Sequence, residues 1–141
     1  VGVDWLFLPD LPLFEFENSY GKTIKDNGLD FIFLVTPETP DERLRKLDSL
    51  SSGFLYAVSS SATTGKDKDF SQVALYLERL QQMNLKNPIL VGFGIKDKQS
   101  FDAVNEFTQG AIIGSAYINA LSKGEDVGET TKQFLNGVLG N

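Results

Sequence analysis

The chain has 141 residues, 41% of them hydrophobic and 23% charged, a composition typical of one soluble globular domain with its own core. Its net charge of −6, with lysines and arginines scattered along the chain, argues against nucleic acid as a partner. The absence of cysteine and histidine excludes disulfides, thiolate nucleophiles, Ser-His-Asp triads and almost all zinc sites, and it leaves carboxylates, tyrosine and lysine for any acid–base chemistry.

Five short apolar runs predict five β-strands. Most of them are continuously apolar rather than alternating, which is typical of strands covered on both faces of a parallel sheet. The first run follows almost directly on Val1, so we expect the chain to be a piece of a longer protein. The runs are residues 3–8, 31–35, 54–58, 89–91 and 111–113.

Helical patterns separate these strands. Residues 39–42, Thr-Pro-Asp-Glu, predict a capping box with proline at the first helical position, ahead of a helix that carries Leu44 and Leu47. Apolar spacing and short strand-to-helix turns predict further helices over 70–80, 101–104, 116–122 and about 129–139. Alternating strands and helices predict one α/β domain of parallel βα units, in sequential order and with right-handed crossovers.

Glycines stand at two successive strand ends, Gly-Phe-Gly-Ile at 92–95 and Gly-Ser at 114–115. The last two strands of a phosphate-binding (β/α)8 barrel end in this way, with a short extra helix pointing its N-terminus at the anion. We therefore predict that Gly94, Gly114 and Ser115 converge on a phosphate, without need of lysine or arginine. An ordinary strand-to-helix turn is the alternative.

Four other features carry candidate binding residues, each with a plainer alternative. Asp10 is either a site carboxylate at a strand end or a turn aspartate. Tyr56 either aims its phenol into a pocket or packs within the sheet. Phe93 is either a wall of a substrate pocket or a core aromatic. The small polar loop 59–65 lacks P-loop spacing and is either a lid, half of a phosphate cradle or a connector.

In their order and spacing, these motifs resemble those of the tryptophan synthase alpha chain family, over essentially the whole chain. The matching segments are 2–4, 9–12, 31–35, Pro37, 39–44, 53–56, Ser59, 64–65, 92–95 and 114–116. The resemblance implies a (β/α)8 barrel in which residues 1–141 form the C-terminal portion, with strands four to eight present and strands one to three absent. A whole barrel takes about 250 residues.

The resemblance also implies an activity. Family members cleave indole-3-glycerol phosphate to indole and glyceraldehyde 3-phosphate in tryptophan biosynthesis, and they pass the indole to a beta chain without a cofactor of their own. The implied catalytic carboxylates, one on the second strand and one in the loop after it, have no counterpart in this chain. We therefore expect a phosphate-binding half that is inactive alone. No apolar run approaches the roughly 20 residues of a membrane span, and we expect a cytoplasmic location.

Position by position, the resemblance implies no catalytic residue in this chain and supporting roles for two residues. Tyr56 matches the family's pocket tyrosine, and Thr64 matches a loop threonine that meets the absent carboxylate. Ala62 and Thr63 replace the family's usual Gly-Val in that loop, so we expect loop closure to differ. The positions that match substrate and phosphate ligands are Tyr56, Phe93, Gly65, Gly94, Gly114 and Ser115.

Two alternatives stay open at this point. Another phosphate-binding barrel enzyme, such as an indole-glycerol-phosphate synthase, would share the glycine-bearing strand ends, although segment 56–65 argues against it. A non-catalytic anion-binding module with a flavodoxin-like open sheet would share the parallel strands. Five βα units also leave an inner sheet face and two edges bare, which predicts self-association.

Overall fold

The computed structural model describes residues 2–58, 70–92 and 94–140, with the backbone alone described at residues 70 and 71. Within these ranges five parallel strands form one sheet in sequential order, which confirms the predicted partial-barrel architecture. Each observed strand overlaps a predicted run. The strands are β1 (Trp5–Phe7), β2 (Asp30–Val35), β3 (Leu55–Val58), β4 (Ile89–Gly92) and β5 (Gly110–Ile112).

Helices follow the strands along the chain. The helices are α1 (Leu13–Glu15), a π-helical turn (Phe16–Tyr20), α2 (Gly21–Asp26), α3 (Asp41–Leu50), α4 (Phe70–Gln82), α5 (Lys98–Asn105), α6 (Ser115–Leu121) and α7 (Val127–Leu139). The first three were not predicted. Their buried inward contacts are Phe16 and Ile24. The Phe16 ring lies 4.6 Å from that of Phe31 and 4.9 Å from that of Phe33, measured between centroids. None of the described helices is both long and apolar enough to cross a membrane.

The predicted capping box at the start of α3 is wrong. Pro40 is the N-cap residue rather than the first helical residue, and no side chain caps the helix. The Thr39 hydroxyl instead accepts a hydrogen bond of 3.0 Å from the backbone N–H of Thr36. Because this bond closes the preceding turn, the hydroxyl serves that turn and not the helix.

The hydrophobic core lies between the sheet and its helices. In β2, Phe31, Phe33 and Val35 face this core, and in β3 buried Leu55 and Ala57 alternate with half-buried neighbours. Alternation of this kind means that the two sheet faces differ in cover. The helices contribute the buried side chains Leu44, Leu47, Tyr76, Leu77, Leu80 and Val104.

The opposite sheet face is bare at β1. Trp5 is 56% exposed and Phe7 38% exposed. Trp5 packs edge-on against Phe54, with ring centroids 5.8 Å apart, and Phe7 packs against Tyr56 at 5.4 Å. The apolar runs predicted cover on both faces, whereas the number of βα units predicted a bare inner face. At β1 the described residues show the bare face. The helices and the π-helical turn cover one face of the sheet. In the described part of the chain, no element packs over the other face.

Asp48 ties α3 to the segment that precedes β4. It is 7% exposed, and its carboxylate accepts hydrogen bonds from the backbone N–H groups of Lys86 at 2.7 Å and Asn87 at 2.9 Å. The Asn87 side-chain amide donates a third, also at 2.9 Å. Because Asn87 is itself buried, its donors have no access to water in place of this carboxylate.

We expect Asp48→Ala to lower the free energy of unfolding by about 2–4 kcal/mol, since it leaves buried donors without an acceptor. Urea denaturation followed by circular dichroism measures the loss. The matched control is Asp102→Ala on the surface of α5, where the carboxylate pairs with Lys98 at 2.8 Å. The control should lose less than about 1 kcal/mol. Equal losses in the two variants would contradict a structural role for Asp48.

Candidate functional site

A pocket of about 420 Å³ opens at the carboxyl end of the sheet, where β3, β4 and β5 meet the start of α6. The structure brings four predicted site residues together in its wall, and three others, Thr64, Gly65 and Phe93, lie outside the described residues. The wall consists of Tyr56, Gly94, Ile95, Lys96, Ile112, Gly114, Ser115, Ala116 and Asn119.

Two other locations, a larger cavity and the turn at Asp10, fit a ligand site less well than this pocket. A larger cavity of about 700 Å³ lies beside Gly28, Asp30 and Ser52, near the amino ends of β2 and β3, and contains none of the predicted site residues. Parallel α/β folds bind ligands at the carboxyl ends of their strands, which favours the smaller pocket. Asp10 is exposed in a turn closed by a 3.1 Å hydrogen bond between Leu11 N–H and Leu8 O, and it does not line the smaller pocket.

Gly94 turns the backbone into the pocket wall directly after β4. Its φ of +74° lies in the left-handed region, which residues with a Cβ rarely adopt. The next residue, Ile95, is 6% exposed and anchors the turn in the core. The chain therefore passes the pocket with bare backbone at Gly94 and then continues to Lys96.

Tyr56 lies across β4 at Gly92, and this close packing is the structural reason for that glycine. A Cβ added at Gly92 would lie 2.6 Å from Cζ of Tyr56 and closer still to two other atoms of the same side chain. No binding role was predicted for Gly92 itself, and the structure shows that it makes room for an aromatic ring. Burial raises the pKa of the Tyr56 phenol, so the group stays neutral at physiological pH.

We expect Gly92→Ala to displace the Tyr56 ring and to destabilise the fold by about 1–3 kcal/mol, the usual cost of overpacking. Adding Tyr56→Leu should recover part of that loss, because the smaller side chain vacates the space. Gly137→Ala in α7 is the matched control, since a Cβ there meets no atom within 4 Å. Thermal unfolding of the four proteins measures these differences. A Gly92→Ala variant as stable as the parent would show that the ring does not rest on Gly92.

Helix α6 presents Ser115, Ala116 and Asn119 to the pocket. Gly114 is its N-cap residue, with an ordinary φ of −99°, and a Cβ added there would meet no atom within 4 Å. The space beside Gly114 is therefore open to a ligand. On α6, Tyr117 fixes the helix to α7 through a 2.7 Å hydrogen bond between its hydroxyl and that of Thr131.

Two polar wall residues, Lys96 and Asn119, were not predicted. The signal for Asn119 is its position four residues after Ser115, which places both on one helix face. Lys96 follows the Gly94 turn, and its backbone N–H donates to the Ser100 hydroxyl at 3.1 Å. Ser100 also completes a capping box with Asp97 at the start of α5, and its side-chain hydrogen bond lowers the pKa of the Asp97 carboxyl.

The pocket has the groups to bind an anion. Its described wall offers glycine backbone, a serine hydroxyl, an amide, a neutral phenol and a lysine, but no carboxylate. Backbone N–H groups at a helix start, combined with glycines that allow close approach, are typical of phosphate sites. Among the residues that the structure describes, no group of three or more Asp or Glu side chains is placed to hold a metal ion.

Comparison with known proteins gives consistent matches over most of the chain. The family model of the tryptophan synthase alpha chain matches residues 1–138. The chain is 46% identical over 124 residues to the tryptophan synthase alpha chain of Flavobacterium johnsoniae, and 44% identical over 123 residues to that of Flavobacterium psychrophilum. These alignments cover 87% and 86% of this chain and 49% of each relative. The chain thus spans about half the length of the curated relatives it matches.

A solved structure agrees with the sequence matches. The tryptophan synthase A-subunit of Pyrococcus furiosus superposes with a TM-score of 0.83 at 30% identity, covering 99% of this chain and 56% of that one. Neither an indole-glycerol-phosphate synthase nor a flavodoxin-like module is favoured by these matches.

Proposed function

The chain belongs to the tryptophan synthase alpha chain family, and on that premise we propose that it is the phosphate-binding portion of a carbon–carbon lyase of tryptophan biosynthesis. The proposed reaction cleaves indole-3-glycerol phosphate to indole and glyceraldehyde 3-phosphate, and a beta chain receives the indole. The observation that carries the proposal is the pocket in which two successive strand ends bring Gly94, Gly114 and Ser115 together.

The surroundings of the pocket match the two ends of this substrate. Gly94 and Gly114 expose backbone for the phosphate, and Ser115 adds a hydroxyl. Tyr56 lines the same pocket and packs against Phe7 on the bare sheet face, so an aromatic surface adjoins the anion site. The indole ring would occupy this aromatic surface while the phosphate group lies at Gly94 and Gly114.

A chimera tests the proposal. The N-terminal half of the Flavobacterium johnsoniae relative, joined to this chain, should restore a complete barrel and release indole from indole-3-glycerol phosphate. The matched control is the same chimera carrying Gly114→Val, which should fold but lose activity. A folded chimera that releases no indole would contradict the proposed reaction.

We also propose that the 141-residue chain associates with itself through its bare sheet face. Trp5, at 56% exposure, and Phe7, at 38%, leave an apolar surface at β1, which is the edge strand of the sheet among the described residues. Contiguous apolar surface and open strand edges both favour association. Light scattering should give at least twice the chain mass of 15.6 kDa, and Trp5→Ser with Phe7→Ser should lower it. A monomeric parent would contradict the proposal.

A further inference from the structure

Three successive charged residues, Lys96, Asp97 and Lys98, join the Gly94 turn to α5. Of the three, Lys96 alone lines the pocket. The pocket wall has no other charged side chain among the described residues, and the chain as a whole carries a net charge of −6. An anion that approaches this protein therefore meets a repulsive average field, and Lys96 is the local exception.

The two neighbouring charges are already engaged within α5. The Asp97 carboxylate accepts hydrogen bonds from the Ser100 backbone N–H at 2.9 Å and from the Ser100 hydroxyl at 2.6 Å. The Lys98 ammonium donates to both carboxylate oxygens of Asp102, at 2.8 and 3.0 Å. Within 2–58, 70–92 and 94–140, Lys96 forms no ion pair. Lys96 is therefore left without an ion-pair partner among the described residues, although its charge also acts on the nearby Asp97 carboxyl.

The backbone of Lys96 is held at the pocket. On one side Ile95 is buried in the core, and on the other the Lys96 N–H is bound by the Ser100 hydroxyl at 3.1 Å. A side chain that starts from a fixed backbone loses less freedom on binding than one on a mobile segment. The ammonium group can thus reach a ligand in the pocket while the capping-box residue Ser100 holds the Lys96 backbone in place.

We propose that Lys96 binds the phosphate group of the ligand in this pocket, adding an ammonium–phosphate ion pair to the backbone contacts at Gly94 and Gly114. The proposal rests on the proposed function and names a side chain that strengthens the phosphate site. A lysine contributes a point charge without demanding one geometry, so it complements the oriented N–H groups. The Asp97 carboxylate is engaged by Ser100.

The test measures the dissociation constant of glycerol 3-phosphate for the 141-residue chain by calorimetry, at low and at high salt. Lys96→Gln should weaken binding about five- to tenfold at low salt and flatten the salt dependence. Lys96→Arg should stay within about twofold of the parent, because it keeps the charge. Lys98→Gln is the matched control, and it should also stay within about twofold, since that ammonium is bound to Asp102 and lies outside the pocket wall.

The outcomes separate this inference from the function on which it rests. Equal affinity of Lys96→Gln and the parent, while Gly114→Val abolishes binding, would overturn the role of Lys96 and leave the phosphate site standing. Equal weakening by Lys96→Gln and Lys98→Gln would mean that only the overall surface charge affects binding. That result would also overturn the role of Lys96. A parent chain that binds no glycerol 3-phosphate would overturn both proposals.

Discussion

Gly114→Val should abolish the binding of glycerol 3-phosphate and leave the fold intact. A Cβ at position 114 meets no atom of the protein within 4 Å, and the backbone there has an ordinary φ of −99°. The valine side chain would instead occupy the pocket where a phosphate must approach bare backbone. Losing two charge-assisted hydrogen bonds, each contributing about 1.5–3 kcal/mol, predicts an affinity loss of more than about 100-fold. Calorimetric titration of parent and variant measures it.

The comparison needs proof that the variant is folded. Thermal unfolding of Gly114→Val should shift no more than that of Gly137→Ala, whose added methyl group also meets no atom within 4 Å. Gly114→Ala should give an intermediate loss of affinity, because one methyl group blocks less of the pocket. If a folded Gly114→Val variant binds the anion as tightly as the parent, the anion site lies elsewhere on the molecule.

The second large effect is expected in catalysis. A protein consisting of these 141 residues should release no indole from indole-3-glycerol phosphate. The described wall of the pocket contains no carboxylate, and under the proposed function the two catalytic carboxylates belong to the half of the relatives that this chain does not match. Each positioned acid or base contributes about 10²–10⁴-fold, so the absence of both removes the proton transfers that the cleavage needs. A colorimetric indole assay against a protein-free blank measures the rate.

The chimera with the N-terminal half of the Flavobacterium johnsoniae relative is the positive control for that assay. It differs from the isolated chain by the segment that should bring the two carboxylates. Indole release by the isolated chain above the blank would mean that other groups perform the proton transfers. It would contradict the assignment of this chain to the phosphate-binding half alone.

The sheet and most helices could be predicted from sequence because each has a strong periodic signal. Apolar runs bounded by glycine and polar turns placed all five strands, and apolar spacing placed α4 and α7. The region from α1 to α2 has a weaker signal, since only Phe16 and Ile24 are buried in the core and its middle is π-helical rather than α-helical. The predicted cap of α3 is wrong because the Thr39 hydroxyl can accept a hydrogen bond either from the first turn of the helix or from the preceding Thr36 N–H. Sequence spacing does not distinguish these two partners.

The candidate site also contains residues that the sequence predicts and residues that only the structure reveals. Gly94, Gly114 and Ser115 carry a motif, and the pocket brings them together. The role of Gly92 depends on register, because Tyr56 pairs with Leu90 and its ring reaches two residues further along β4. Lys96 has no pattern that distinguishes it from other surface lysines. Lys96 lies in the wall because of the left-handed turn at Gly94 and the capping box of α5. Both features became evident only from the structure.

The most direct test of the phosphate site is residue-resolved. Amide nitrogen–proton spectra of the isotope-labelled chain should be recorded while glycerol 3-phosphate is added, with glycerol as the uncharged control. We predict saturable shifts at the amides of Gly94, Gly114 and Ser115 with the phosphate ester and none with glycerol. Shifts confined to the larger cavity beside Gly28 and Ser52, or no saturable shift at those three amides, would contradict it.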